Sequence, residues 1–188
     1  MLSFIYQGAP LTVKNTQGLV QVFTGEGKGK TTAALGTVLR AAGHGFKISI
    51  IVFIKGHSSQ GEYKTLAGIP GVKVTSFGLR QFIHKNNVIN PEEKAQAQAA
   101  LAAAREDITN GKYDLVVLDE INMAVYFKLL KVDEVLQLVK DKPPRVELIL
   151  TGRRADEKVI AAADLVTEMV KIKHPYDKGI KARKGIEF

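Results

Sequence analysis

Residues 24–32 combine glycines, lysines and hydroxyl side chains at a spacing that suits the binding of a phosphate chain. Glycines alternate with charged residues over 25–29, and Lys30 and Thr31 follow directly. The backbone N–H groups of such a loop converge on an anion, and the next helix presents the positive end of its dipole. A lysine adds a mobile positive charge, and a threonine hydroxyl can complete the shell of a bound Mg²⁺. The pattern predicts a magnesium–nucleotide phosphate site.

The loop is a variant of the P-loop pattern G-x-x-x-x-G-K-[ST]. Gly29, Lys30 and Thr31 supply the second half, but Thr24 stands where the first glycine is expected, and the next glycine is Gly25. An apolar run precedes the loop and an alanine-rich segment with helical spacing follows it, which is the context that the motif requires. The alternative interpretation is a glycine turn that only joins a strand to a helix.

A pair of acidic residues, Asp119 and Glu120, ends the second informative stretch. Residues 113–120 read Y-D-L-V-V-L-D-E, in which the apolar run predicts a central strand. This is the Walker B arrangement, in which a carboxylate near the phosphates holds magnesium directly or through water. The alternative is an exposed acidic turn, because many strands end in an acid.

Two further polar segments follow predicted strands. Residues 55–61 form a polar turn after a β-branched run, and Arg153 follows the run 146–150. Parallel sheets bind ligands at the carboxyl ends of their strands. An arginine there suits a bidentate grip on phosphate oxygens, although a solvated loop cation is the alternative.

Apolar runs alternate along the chain with segments of helical spacing. Strands are predicted over 19–23, 48–54, 72–77, 113–120, 146–150 and 165–172. Helices are predicted over 32–42, 62–67, 91–110, 121–130, 132–140 and 155–163. This alternation predicts an α/β fold, a three-layer P-loop NTPase-like (RecA-like) domain with a mainly parallel sheet. The candidate ligand groups all follow strands, so they would gather along one edge of that sheet.

Composition limits the classes of protein and site. The 188 residues are 45% hydrophobic, which suits one domain with a substantial core. The chain has no cysteine, which excludes disulfides and thiolate metal sites, and its four histidines lack metal-ligand spacing. Without a signal-peptide pattern or an apolar run of roughly 18 residues, we expect a cytoplasmic protein. The net charge of +8 favours an anionic partner, but the basic segment 171–188 also fits a solvated tail.

Residues 18–34, G-L-V-Q-V-F-T-G-E-G-K-G-K-T-T-A-A, resemble the opening of the P-loop type of cob(I)alamin (corrinoid) adenosyltransferases. The likeness covers roughly residues 18–188, and the variant loop is its most specific part. It continues in the segments R-A-A-G-H-G (40–45), F-I-K-G (53–56), Y-D-L-V-V-L-D-E (113–120), L-T-G-R (150–153) and K-G-I-E-F (184–188).

The resemblance implies an ATP:cob(I)alamin or cob(I)yrinic acid a,c-diamide adenosyltransferase. Such an enzyme transfers the 5′-deoxyadenosyl group of Mg-ATP to Co(I) of a corrinoid, releases triphosphate, and serves adenosylcobalamin biosynthesis or salvage. ATP, Mg²⁺ and a corrinoid acceptor are implied, as are a homodimer and a flavoprotein as one candidate reductant. No membrane or nucleic-acid partner is expected.

The family pattern also suggests roles for residues of this chain. Lys30 and Glu120 are the predicted catalytic residues, and Thr31, Glu120 and Asp119 the predicted magnesium contacts. Arg40 matches a position near the nucleoside and Arg153 a position near the phosphates. The predicted ATP-binding residues are Thr24, Gly25, Glu26, Gly27, Lys28, Gly29, Lys30, Thr31, Thr32, Arg40 and Arg153.

The chain departs from the family pattern in two places. Family members often have a glycine followed by phenylalanine and tryptophan near the corrinoid, whereas residues 78–84 read G-L-R-Q-F-I-H and the chain has no tryptophan. Phe82 is the aromatic candidate for a corrinoid contact, with simple packing as the alternative. Residues 1–17 match less clearly and are predicted to be an N-terminal extension, a lid or subunit contact, before a single domain over 18–188.

Two other functions stay open from the residues. A P-loop ATPase or small-molecule kinase would move the γ-phosphoryl group with the same loop. A non-catalytic nucleotide binder could use the basic charge to bind nucleic acid, although the sequence offers no stacking platform of aromatic residues.

Overall fold

The structure, a computed structural model, describes residues 17–56, 60–79 and 89–187. Its six strands are β1 (Val20–Thr24), β2 (Ile48–Val52), β3 (Val72–Ser76), β4 (Leu115–Asp119), β5 (Glu147–Thr151) and β6 (Leu165–Glu168). They form one sheet with the order β3-β2-β4-β5-β1-β6, and every neighbouring pair is parallel. The carboxyl ends of all six strands therefore lie along the same edge.

In the described residues, six α-helices connect or follow the strands. They are α1 (Lys30–Gly43), α2 (Gly61–Leu66), α3 (Pro91–Thr109), α4 (Ile121–Tyr126), α5 (Val132–Asp141) and α6 (Glu157–Ala162), and a 3₁₀ helix covers Pro175–Lys178. At the start of α3 the Asn90 side chain accepts a hydrogen bond from the Glu92 N–H, and Pro91 opens the helix; asparagine and proline are favoured at these two positions.

The core lies on both faces of the sheet, because side chains alternate between the faces along each strand. Leu115 and Val117 of β4 pack in the cluster that includes α1 and α2, whereas Val116 and Leu118 pack in the cluster that includes α3 and α5. Helix, sheet and helix thus form three layers. The predicted P-loop NTPase-like fold is confirmed, with a sheet that is entirely parallel.

Several predicted elements end earlier than expected, and the ends matter for the site. β2 stops at Val52, two residues before Ile54, which adopts the left-handed φ of 69°. β6 stops at Glu168, after which the chain turns along the glycine-rich loop. α4 ends at Tyr126 rather than at residue 130. The ends of β2 and β6 therefore lie next to segments that are not part of the sheet and that border the site.

Candidate functional site

A cavity of about 570 Å³ opens at the carboxyl edge of the sheet. Loop residues 27–32 line it, together with Lys55 after β2, Glu120 after β4 and Arg153 after β5. Residues 185–187 of the C-terminal segment close one side of it. The structure thus brings the candidate groups from four strand ends into one place, as parallel pairing requires.

The glycines of the loop are needed where the chain after β6 approaches. Gly27 donates its N–H to the Met169 carbonyl, with 2.6 Å between the nitrogen and oxygen. A Cβ on Gly27 would lie 2.7 Å from that oxygen, and one on Gly25 would lie 2.5 Å from it. Gly25 and Gly29 also have φ values of 98° and 121°, which side chains disfavour. The loop therefore depends on glycine for backbone packing as well as for anion access.

Lys30 is the first residue of α1, at the point where helix N–H groups lack partners within the helix. Gly29 caps α1 without any side-chain hydrogen bond. The Lys30 ammonium donates to the Gly27 carbonyl at 2.7 Å, inside the loop. Burial and the nearby Arg153 guanidinium lower the pKa of Lys30, while Glu120 opposes that shift. An anion bound here would meet free N–H groups and a poorly solvated ammonium.

Asp119 is fully buried and held by three hydroxyl groups. Thr31 and Thr151 donate to its Oδ1, Thr31 at 2.9 Å, and Tyr63 donates to its Oδ2. Burial and the Asp119 carboxylate raise the pKa of Tyr63, so its phenol stays a donor. Asp119 thereby fixes the Thr31 hydroxyl at the end of the loop.

Glu120 borders the cavity and takes the unusual left-handed φ of 63° at the start of α4. Its N–H donates to the Thr151 hydroxyl at 3.0 Å. The Lys55 ammonium lies 3.0 Å from Glu120 Oε1 and 3.8 Å from Asp119 Oδ2. Burial would lower the pKa of Lys55, but the two carboxylates outweigh burial and raise it. The site thus contains a lysine beside both acidic residues.

Glu26 connects the loop to the residues that follow β5. Its carboxylate accepts from Arg153 at 3.4 Å and pairs with Arg154 Nε at 3.0 Å. Arg154 has a φ of 55°, and its guanidinium also lies over the Tyr126 ring. Glu26 therefore pairs with two guanidinium groups, of which that of Arg153 belongs to a cavity-lining residue.

The end of the basic C-terminal segment lies against the loop, whereas most of its side chains are exposed. The Lys28 ammonium contacts the Ile186 carbonyl at 3.2 Å and the Glu187 carboxylate at 3.1 Å. Hydrogen bonds from Arg183 lower the pKa of Glu187 to about 2. Because Glu187 is then ionised at neutral pH, this contact is a salt bridge between the loop and the end of the chain.

The predicted site residues fall into four groups. Those that line the cavity are Gly27, Lys28, Gly29, Lys30, Thr31, Thr32, Glu120 and Arg153. Asp119, Thr24, Gly25 and Glu26 lie beside or beneath that lining, and the Thr24 hydroxyl accepts from the Ala155 N–H. Arg40 is exposed in the last turn of α1 and is not among the cavity residues of the described chain. Phe82 lies outside the described residues.

The donors in the site fit Mg²⁺. Thr31, Asp119 and Glu120 offer only oxygen, which magnesium prefers. In residues 17–56, 60–79 and 89–187, no three His, Cys, Asp or Glu side chains form a group that could hold a metal. This donor set suits an ion bound through one or two carboxylates and the phosphates of a nucleotide.

Two residues that support Asp119 were not predicted as site residues. Thr151 could have been found, because it directly follows the predicted strand 146–150, and the other candidate ligand groups also follow strands. Tyr63 reaches Asp119 from α2, and no motif in the sequence marks that contact. Lys55 was predicted only as part of a polar turn.

No helix in the described part of the chain has the length and apolar character needed to cross a bilayer.

Comparison with known proteins identifies the family. The family model for ATP:corrinoid adenosyltransferase BtuR/CobO/CobP matches residues 16–188. A corrinoid adenosyltransferase of Sinorhizobium sp is 38% identical over 178 residues, which cover 94% of this chain and 83% of that protein. Corrinoid adenosyltransferases of Pseudomonas aeruginosa and Escherichia coli are 37% and 34% identical over 175 residues, covering 93% of this chain and 86% and 88% of theirs. The chain therefore belongs to the ATP:corrinoid adenosyltransferase family BtuR/CobO/CobP.

Proposed function

We propose that this chain transfers the 5′-deoxyadenosyl group of Mg-ATP to the Co(I) centre of cobalamin or cobyrinic acid a,c-diamide and releases triphosphate. Family membership supports ATP and a corrinoid as the substrates. The observation that carries the proposal is the convergence of Lys30, Thr31, Glu120 and Arg153 on one cavity. That cavity offers cations and N–H groups for a polyphosphate, and no nucleophile is required from the protein.

The proposed step balances without a protein acid or base. The electron pair of Co(I) attacks C5′ and forms the Co–C bond, while the C5′–O bond breaks and its pair leaves on triphosphate. Cobalt is formally oxidised by two electrons in the same step. The chain must therefore orient C5′ and neutralise the charge that grows on the leaving oxygen.

Each proposed role follows from the position of the group. Lys30 would exchange the Gly27 carbonyl for phosphate oxygens, beside the free N–H groups at the start of α1. Arg153, which follows β5 and also lines the cavity, would add a second cation. Thr31 and Glu120 would hold Mg²⁺, with Asp119 orienting the Thr31 hydroxyl. When bound, Mg²⁺ neutralises part of the phosphate charge.

The test is product analysis under anaerobic conditions with chemically reduced cobalamin and Mg-ATP. We expect adenosylcobalamin and triphosphate in equal amounts. Lys30→Ala and Glu120→Ala should each lower the rate by about 10²–10³, because each removes an interaction with the leaving group. The matched control Lys94→Ala, an exposed lysine of α3, should keep the wild-type rate.

ADP and phosphate as the products would contradict the proposal and indicate a phosphoryl-transferring enzyme. A wild-type rate in either site variant would remove that residue from the mechanism.

We also propose, from the family resemblance, a homodimer in the cytoplasm that serves adenosylcobalamin biosynthesis or salvage, with a flavoprotein as the reductant of the corrinoid cobalt. Residues 1–17 as a lid or subunit contact and Phe82 as a corrinoid contact belong to the same proposal. Phe82→Ala tests the last point, since loss of a corrinoid contact should raise the KM for cobalamin and leave the KM for ATP unchanged.

A further inference from the structure

Lys55 occupies a position between the two acidic residues of the site. Its ammonium lies 3.0 Å from Glu120 Oε1 and 3.8 Å from Asp119 Oδ2. The Asp119 side chain is fully buried, and that of Glu120 is 19% exposed. Two adjacent carboxylates with so little solvent need a neutralising cation. In the structure Lys55 is that cation.

The backbone around Lys55 is shaped to hold it there. Ile54 has a φ of 69°, a conformation that a β-branched residue rarely adopts. On the other side, Gly56 packs so closely on the next strand end that a Cβ would lie 1.9 Å from the Gly78 carbonyl oxygen. The Lys55 N–H donates to the Phe53 carbonyl at 2.8 Å and closes the turn. Strain of this kind persists where neighbouring structure enforces it, and it concentrates at functional sites.

Glu120, the carboxylate that lies 3.0 Å from the Lys55 ammonium, is also a proposed magnesium ligand. An ammonium and Mg²⁺ repel each other, so each weakens the binding of the other at the same carboxylate. Lys55 lines the cavity with Lys30 and Thr31, and its side chain is one-third exposed. A four-carbon stem gives the ammonium room to move from the carboxylates into the cavity.

We propose that Lys55 takes the place of the divalent cation in the nucleotide-free site and moves onto the phosphate chain when Mg-ATP binds. There it contacts the leaving triphosphate from the β2 side, opposite Arg153 and in addition to Lys30. The catalytic part of this inference rests on the proposed adenosyl transfer, whereas the exchange of cations does not. Lys55 would thus neutralise the carboxylates in the nucleotide-free state and the phosphates in the nucleotide-bound state.

The first test measures Mn²⁺ binding without nucleotide, by electron paramagnetic resonance. Lys55→Met keeps the length of the stem and removes the charge. We expect it to bind Mn²⁺ on the order of tenfold more tightly than wild type, because the carboxylates lose their competing cation. Lys55→Arg and the control Lys94→Met should bind Mn²⁺ like wild type.

The second test measures tripolyphosphate and adenosine binding in EDTA, by titration calorimetry. Lys55→Met should bind tripolyphosphate on the order of tenfold more weakly, with adenosine affinity unchanged, because only the phosphates lose a cation. With Mg-ATP and reduced cobalamin as substrates, the kcat of Lys55→Met should be lower than that of wild type, although its affinity for adenosine is unchanged. A purely structural lysine would not separate these two ligands.

Unchanged or weaker Mn²⁺ binding by a folded Lys55→Met chain would overturn the exchange of cations. Unchanged tripolyphosphate affinity would overturn the phosphate contact. Urea unfolding curves verify the fold, and Lys55→Gln replaces Lys55→Met if the latter does not fold. Neither probe contains cobalt or a C5′ carbon, so failure of adenosyl transfer leaves both results interpretable.

Discussion

Asp119 and Glu120 are adjacent in sequence but have different surroundings. Asp119 is buried and accepts from three hydroxyl groups, which leaves it to position Thr31. Glu120 borders the cavity, and among the described residues its salt-bridge partner is Lys55. The physical difference is solvent access. A buried carboxylate whose oxygens already accept hydrogen bonds fixes the positions of its donors, whereas a solvent-accessible carboxylate can exchange one bound cation for another.

At the residue scale we predict that Thr151→Val weakens both the fold and the site. The valine keeps the volume but removes a donor to Asp119 and the acceptor for the Glu120 N–H. A buried N–H without a partner costs about 1–3 kcal/mol of the free energy of unfolding. Urea titration measures that loss, and kcat/KM for adenosyl transfer should fall by about tenfold.

The control for this substitution is Thr109→Val at the exposed end of α3, where the hydroxyl bonds only the Arg105 carbonyl. Thr151→Ser should restore the rate and part of the stability, because it retains the hydroxyl but loses a buried methyl group. If Thr151→Val equals wild type in stability and rate, the hydroxyl does not organise the carboxylates.

At the scale of elements, the phosphate loop is shaped by the chain that follows β6. The Gly27 N–H donates to Met169, and Met169 in turn donates its N–H to the Thr24 carbonyl. The loop is therefore held as an extension of the β1–β6 pair. The Gly27 N–H already donates to the Met169 carbonyl. We therefore expect an anion to be bound by the free N–H groups at the start of α1.

We predict that Gly27→Ala destabilises the protein by about 1–3 kcal/mol, since its Cβ would lie 2.7 Å from the carbonyl oxygens of Met169 and Val170. Neither contact can be relieved by a side-chain rotation, so the loop or the chain after β6 must shift. Thermal unfolding measures the change in stability, and calorimetry should show weaker ATP binding.

The matched control is Gly36→Ala, on the exposed face of α1 with nothing within 4 Å of the new Cβ. There alanine should stabilise the protein by about 0.5–1 kcal/mol through its helix propensity. A Gly27→Ala chain as stable as wild type would show that the loop tolerates a side chain against β6.

At the scale of the whole molecule, ligand groups arrive from segments far apart in the chain. Lys28 and Glu187 form a salt bridge across 159 positions, and the loop, β4, β5 and the C-terminal segment share one cavity. A polyphosphate that binds there contacts several elements at once. Binding should therefore stabilise the folded state as a unit.

We predict that Mg-ATP raises the thermal midpoint of unfolding. At a free concentration 100 times its Kd, the ligand adds about 2.7 kcal/mol. For a chain of this size, that corresponds to a rise of about 5–10 °C. Differential scanning fluorimetry measures the shift, and EDTA should reduce it because the phosphates then lose a cation. An equal shift with adenosine alone would mean that the phosphates contribute nothing.

The sequence by itself determined the fold class and the identity of the main groups. Alternating β-branched runs and helical segments predict parallel strands joined by helices, and the loop 24–32 predicts a phosphate site. These features could be predicted because they are local: hydrophobic periodicity, glycine spacing and capping residues act over a few positions. Because every candidate group follows a strand, their meeting at one edge was also predictable.

Only the tertiary structure decided how these groups divide the work. Tyr63 contacts Asp119 from another element, Lys55 pairs with Glu120, and the C-terminal Glu187 reaches Lys28. Arg40 was predicted to lie near the nucleoside, whereas the structure places it exposed in the last turn of α1. Such contacts depend on strand order and on the close approach of backbones. Both are set by the packing of the whole chain, so no residue spacing in the sequence indicates them.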